Sequence, residues 1–181
     1  MSSYLQGTTG RAGQAVIESC VVMGLLCLLL MGLFQLARLY VAEDILNYAA
    51  ARGVRCRSVG LNDFMLYKTI RVGAIPNAGR MTYPVVEGGP PAQRSVERPL
   101  IPLYLETLYS DRLSAILDYE EWDSLHYSMV EQGDPPMVHC WVSQSYPIRS
   151  VVFRAFYAQD SLRLSGEATM ENHYPLYLDV Q

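Results

Sequence analysis

Apolar positions crowd toward the amino-terminal part of the chain. Residues 19–37 (SCVVMGLLCLLLMGLFQLA) carry no charge and are bracketed by Glu18 and Arg38. A helix of this length spans about 28 Å at about 1.5 Å per residue, close to the hydrocarbon thickness of a bilayer. The pattern predicts a single membrane span over about residues 19–37. A cleaved secretory signal peptide is the rival reading. Its apolar region is shorter, about 7–15 residues, and ends in small side chains where this segment has Gln35.

The helical pattern runs past the span. Residues 38–54 contain no proline, no glycine before Gly53 and many Ala and Leu. One long helix is predicted over residues 14–54. On a helical wheel Cys20, Gly24, Cys27, Gln35, Ala42, Ala49, Gly53 and Cys56 share a stripe of small residues. Glu18, Leu25, Leu29, Leu33, Leu36, Tyr40 and Asn47 occupy the opposite stripe. Small residues let another backbone approach closely. Ala49 and Gly53 are expected to pack on the chain's own domain, whereas Cys20, Gly24 and Cys27 fit either another subunit or lipid.

Beyond residue 55 the periods are shorter. A helix is predicted over residues 62–72, capped by Asn62, with Phe64, Tyr67 and Ile70 apolar. Residues 81–87 read as an edge strand because Pro84 excludes a central one. Residues 88–102 read as a proline-rich loop. Residues 104–119 read as a second helix with Leu105, Leu108, Tyr109, Leu113, Ile116 and Leu117 on one face. Two runs alternate with period two, residues 138–146 (Val138, Cys140, Val142 and Tyr146 on one face) and residues 162–170 (Leu162, Leu164, Ala168 and Met170). Between them, residues 149–157 fit a helical turn or a strand equally. The predicted fold is α+β: a long helix followed by a small domain, residues 55–181, with an antiparallel sheet and short helices.

Composition narrows the function. Fourteen basic against 18 acidic residues give a net charge of −4, the wrong sign for a nucleic-acid partner. The three histidines, His126, His139 and His173, form no metal-binding spacing. No G-x-S-x-G, phosphate loop or dinucleotide fingerprint is present, so no enzyme, cofactor or metal is expected. Four cysteines are too few for a disulfide scaffold. Cys56 and Cys140 lie outside the span and would be free to pair in an oxidising compartment or to remain buried thiols. The acidic run at residues 118–123 (DYEEWD) reads as a solvated helix end.

Glu18 is the residue that redirects this reading. A carboxylate leading straight into an apolar span is costly to bury unless paired. Gly13-Gln14-Ala15-Val16-Ile17-Glu18 resembles the processing site of type IV pilins and pseudopilins. The resemblance implies cleavage by a prepilin peptidase after Gly13, a leader of residues 1–13, and Gln14 as the mature amino terminus. The new α-ammonium would pair with Glu18 of a subunit during assembly. A narrower resemblance follows: residues 11–18 (RAGQAVIE), the leucine-rich span and residues 49–55 (AAARGVR) look like the TadE-like family of tight-adherence pilus assembly, and residues 164–170 (LSGEATM) resemble its last strand. This implies a single-pass inner-membrane protein whose carboxy-terminal domain lies outside the cytoplasm. Its partners would be other pilins and pseudopilins, inner-membrane platform proteins and the peptidase. Charge alone argues the other orientation, since Arg38, Arg52, Arg55 and Arg57 follow the span and only Arg11 precedes it. Without the resemblance, the residues also fit an unprocessed, membrane-tethered extracytoplasmic binding domain.

Overall fold

Fifty-one residues without a proline form α1, Thr8–Ser58. The computed structural model describes residues 8–133, 136–148, 154 and 159–172, with side chains described from residue 13 onward. The helix stops where Gly60 takes a positive φ of 81°. There the Gly60 amide donates to the Arg57 carbonyl and the Leu61 amide reaches back to the Cys56 carbonyl, which closes the open carbonyls of the last turn. Arg55 and Arg57 sit in that turn, where positive charge suits the helix dipole.

Contacts divide the chain into two units at Tyr40–Val41. The first contains the apolar part of α1. The second contains its last turns and everything after them. α2, Asp63–Gly73, begins as the sequence indicates: the Asn62 side chain accepts the Met65 amide at 2.9 Å. A short strand β1, Met81–Tyr83, pairs antiparallel with β2, Asp118–Tyr119. A second sheet has the order β3-β4-β5, with β3 at His126–Gln132, β4 at Met137–Pro147 and β5 at Ser161–Glu171, all antiparallel. Both alternating runs are strands, and α+β is the observed class.

Three expectations are corrected. Residues 88–102 are not a loop: Pro90–Glu106 is a helix, α3. Pro90 and Pro91 open it, where a missing amide costs nothing. Pro99 and Pro102 lie inside it on exposed positions, and their cost is offset by packing of Val96, Leu100, Ile101 and Tyr104 against a core cluster. Residues 104–119 are not a helix. α3 ends at Glu106 because the Lys68 ammonium takes the Leu105 and Thr107 carbonyls at 2.6 and 2.8 Å, and Leu113 and Leu117 are buried from short turns instead. The acidic run 118–123 is not a solvated helix end. Tyr119 belongs to β2, and Trp122 is fully buried. The edge strand foreseen at residues 81–87 is present but stops before Pro84. β3 had no alternating signal strong enough to be seen. Residues 149–157 lie outside the described residues apart from Arg154.

The second unit has two cores. One joins α1 (Leu46, Ala49, Ala50, Val54) and α2 (Leu66, Ile70) to the buried face of β4 (Val138, Cys140, Val142). The other surrounds Trp122 with Tyr104, Tyr119, Leu113, Leu117, Met81 and Ala78.

Candidate functional site

Helix α1 is long and apolar enough to cross a bilayer, with a mean hydropathy of 2.5 over its most apolar stretch. Its leucines face outward: Leu25 and Leu29 are each 62% exposed and Phe34 71%. So large an apolar surface is unstable against water, and a bilayer removes that cost. Cys20 and Cys27 are exposed, and a Cβ added at Gly24 would meet nothing within 4 Å. Cys20, Gly24 and Cys27 of the small-residue stripe therefore have no packing partner among the described residues.

At the head of the apolar stretch, two of the residues singled out by sequence meet. Gln14 Nε2 donates to Glu18 Oε1 at 3.0 Å, the spacing at which side chains stack along a helix. Ser19 Oγ donates to the Ala15 carbonyl at 2.8 Å. Gly13 lies within α1, and a side chain there would have open space around it. The segment is thus an exposed helical turn in which the glutamate has one amide donor and no cation among the described residues.

Farther along, α1 becomes a seat for the domain, and its small residues explain the fit. A Cβ on Gly53 would lie 3.1 Å from Ile70 and 3.3 Å from Cys140 Sγ. A Cβ on Gly73 of α2 would lie 3.0 Å from the Ala49 Cα. Ala49 and Gly53 pack on the chain's own domain, as their stripe implies. Asn77 Nδ2 donates to the Ala42 carbonyl at 2.7 Å. Most closely of all, Gly166 of β5 rests on the Leu46–Asn47 backbone, and the adjacent Glu167 amide donates to Asn47 Oδ1 at 2.9 Å. Within residues 164–170, Gly166 has no role that the sequence alone assigns. A lone glycine inside an alternating strand was the available signal, since it marks a close backbone approach.

Cys140 is buried in the first core and Cys56 packs at its margin, one turn beyond Gly53. Both are free thiols. Burial pushes the Cys140 thiol up to about 11. Lys68 is also buried, held by two carbonyls and the Phe64 ring at 4.6 Å, and desolvation lowers its pKa. In the second core the Arg71 guanidinium lies 4.5 Å from the Tyr67 ring and 5.1 Å from the Trp122 ring. Burial raises Tyr104 to about 12, with Arg71 opposing the shift. Tyr119 is raised by burial and by Glu97 beside it.

Nothing here assembles into a reaction centre among the described residues. No group of three or more His, Cys, Asp or Glu is placed to hold a metal. His139 contacts Thr169 Oγ1 at 2.8 Å and stacks on Trp141; His173 lies outside the described residues. An open groove of about 560 Å³ beside α3 is lined by Pro76, Arg80, Met81, Val86 and Gln93, with no nucleophile and base side by side.

A helix long and apolar enough to cross a bilayer, ending as the seat of a small α+β domain, defines the class. Residues 13–55 match the family model of TadE-like proteins. The match begins at Gly13, takes in Glu18 and the whole apolar stretch, and closes at Arg55 in the last turn of α1. It is the family that the sequence resembles. No curated protein and no solved structure matches the chain.

Proposed function

We propose that the protein is a minor pilin or pseudopilin of a tight-adherence pilus or a related secretion machine. The TadE-like match implies a role in assembly of such a pilus. The carrying observation is that the matched segment coincides with α1, from the Gly13 turn to the seat of the domain. In this reading the chain is a single-pass protein of the inner membrane with residues 55–181 outside the cytoplasm. Prepilin peptidase removes residues 1–13, and Gln14 becomes the first residue. The protein is a structural subunit rather than an enzyme. Its partners are other pilins, inner-membrane platform proteins and the peptidase.

The chemistry supports Glu18 as the assembly residue. A carboxylate entering the apolar phase is stabilised by a cation far more than by a neutral amide. Among the described residues Glu18 has only the Gln14 amide. A free α-ammonium created at Gln14 supplies the missing positive charge. An extracytoplasmic domain also meets an oxidising compartment, in which Cys56 and Cys140, free thiols in this fold, either pair or stay thiols. The test is complementation of a strain lacking this protein. Glu18→Ala should insert in the membrane at wild-type levels and leave surface pili at a tenth or less. Wild-type pilus numbers from Glu18→Ala would refute the pairing role.

A further inference from the structure

Cleavage after Gly13 puts a primary carboxamide at the front of the chain, on Gln14, one turn before a carboxylate. Glu18 is the only charged side chain in residues 14–37. In α1 Gln14 Nε2 donates to Glu18 Oε1 at 3.0 Å, and both residues are exposed. Ser19 Oγ donates to the Ala15 carbonyl at 2.8 Å. These bonds lie within residues 14–19, so the turn that makes them does not draw on residues 1–13.

A glutamine with a free α-amine can close on itself. The uncharged amine nitrogen attacks its own side-chain Cδ, and the new N–Cδ bond completes a five-membered lactam. The Cδ–Nε2 bond breaks and Nε2 leaves as ammonia, carrying one hydrogen from the amine; nothing is oxidised or reduced. The product, a pyroglutamyl residue, is neutral and has no ammonium to offer a carboxylate.

We propose that Glu18 guards the mature amino terminus against this closure by holding the Gln14 carboxamide away from the α-amine. The inference rests on the processing read above, since residue 14 has no free amine without it. The hydrogen bond draws the leaving nitrogen toward Glu18, which lies about 6 Å farther along the helix axis. Closure needs the opposite, a carboxamide folded back on the backbone nitrogen. The carboxylate also favours the ammonium form of the amine, which has no lone pair with which to attack Cδ. The helix dipole opposes this second effect, because its amino-terminal end disfavours positive charge. Glu18 is the one charged side chain of the segment that counters the dipole. The acid that needs the ammonium for assembly thus also preserves it.

The experiment uses the chain with residues 1–13 replaced by the recognition sequence of a site-specific protease that leaves Gln14 first, so that the cut does not depend on the prepilin peptidase. The cut protein is kept in detergent at pH 8, where an ordinary α-amine is about half uncharged. Loss of ammonia from the amino-terminal peptide is followed by mass spectrometry. Glu18→Ala should cyclise about three- to tenfold faster than the wild type. Glu18→Gln keeps an acceptor without the charge and should fall between the two. In protein isolated from native membranes the open Gln14 form should predominate. Equal or slower cyclisation of Glu18→Ala overturns the guard, as does a native amino terminus that is mostly pyroglutamyl. Equal cyclisation beside a native chain that begins at an open Gln14 leaves the proposed function standing. A native chain that keeps residues 1–13 overturns the processing, and the guard with it.

Discussion

Gly166 of β5 lies against the peptide backbone between Leu46 and Asn47 of α1, so closely that a methyl group in place of its hydrogen would overlap the Asn47 nitrogen. The next residue completes the contact, its amide donating to the Asn47 side chain. β5 thus meets the helix through a missing side chain and one hydrogen bond, beside the apolar core that joins α1 to β4. β5 is the last strand of its sheet, and Asn47 takes up the Glu167 amide that would otherwise be open there.

Gly166→Ala is expected to destabilise the domain severely, by about 3 kcal/mol or more, because two backbones must separate. Asn47→Ala removes only the hydrogen bond and should cost about 1 kcal/mol. Thermal unfolding of the detergent-solubilised protein, followed by near-ultraviolet circular dichroism, distinguishes the two. Equal small losses would mean that the helix and β5 do not meet this closely.

Lys68 explains where α3 ends, and its replacement should show this. Lys68→Met leaves the Leu105 and Thr107 carbonyls without their donor, a cost of about 1–3 kcal/mol for a buried acceptor. Hydrogen exchange at residues 103–109 should quicken in the variant while exchange in β4 stays slow. Uniform quickening across the domain would argue against a local clamp.

Alkali should unfold the second core through its tyrosines. Tyr104 and Tyr119 titrate above the ordinary value of 10.0 in the fold. Their contribution is complete below pH 10 and is lost as pH rises toward the folded value, about 12 for Tyr104. Lys68 works in the opposite direction: its pKa is lowered by burial, so the fold gains as pH climbs toward the unfolded value. With Tyr67 and Tyr127 also raised, the tyrosines outnumber it and stability should fall above pH 10. Tyr104→Phe and Tyr119→Phe should each flatten this fall in a pH series of thermal unfolding. An unchanged slope would contradict the burial assigned to the hydroxyls.

Cys140 should be slow to react with a thiol reagent at pH 8, since burial both hides the sulfur and keeps it protonated. Cys20 and Cys27 are exposed and should react once the surrounding detergent is permeable to the reagent. Peptide mapping after timed alkylation provides the order. Cys140 labelling as fast as Cys20 would mean that the first core is open.

The elements with a strong period were legible. Residues 19–37 lack any charge, Asn62 is a good cap, and β4 and β5 alternate cleanly, so each was readable from local pattern. Failures came where tertiary contacts overrode that pattern. Four prolines in residues 88–102 argued for a loop, yet two occupy a helix start and two face solvent. The 3.6-residue apolar period of residues 104–119 was real, but Lys68, far away in sequence, ends the helix after its first three residues. Trp122 hid within an acidic run. Of the candidate site, Gly13, Gln14 and Glu18 were found by resemblance, and the structure adds the Gln14–Glu18 contact. Gly166 and Asn47 were not assigned because their meaning lies in a contact between segments about 120 residues apart.

The most direct measurement is the amino-terminal residue of the protein isolated from membranes of its native host, by intact mass or terminal peptide sequencing. Cleavage after Gly13 predicts a chain beginning at Gln14, with the leader inside and the domain outside. A chain that retains residues 1–13 in the presence of the peptidase contradicts processing, and a chain beginning near Arg38 contradicts the membrane anchor itself.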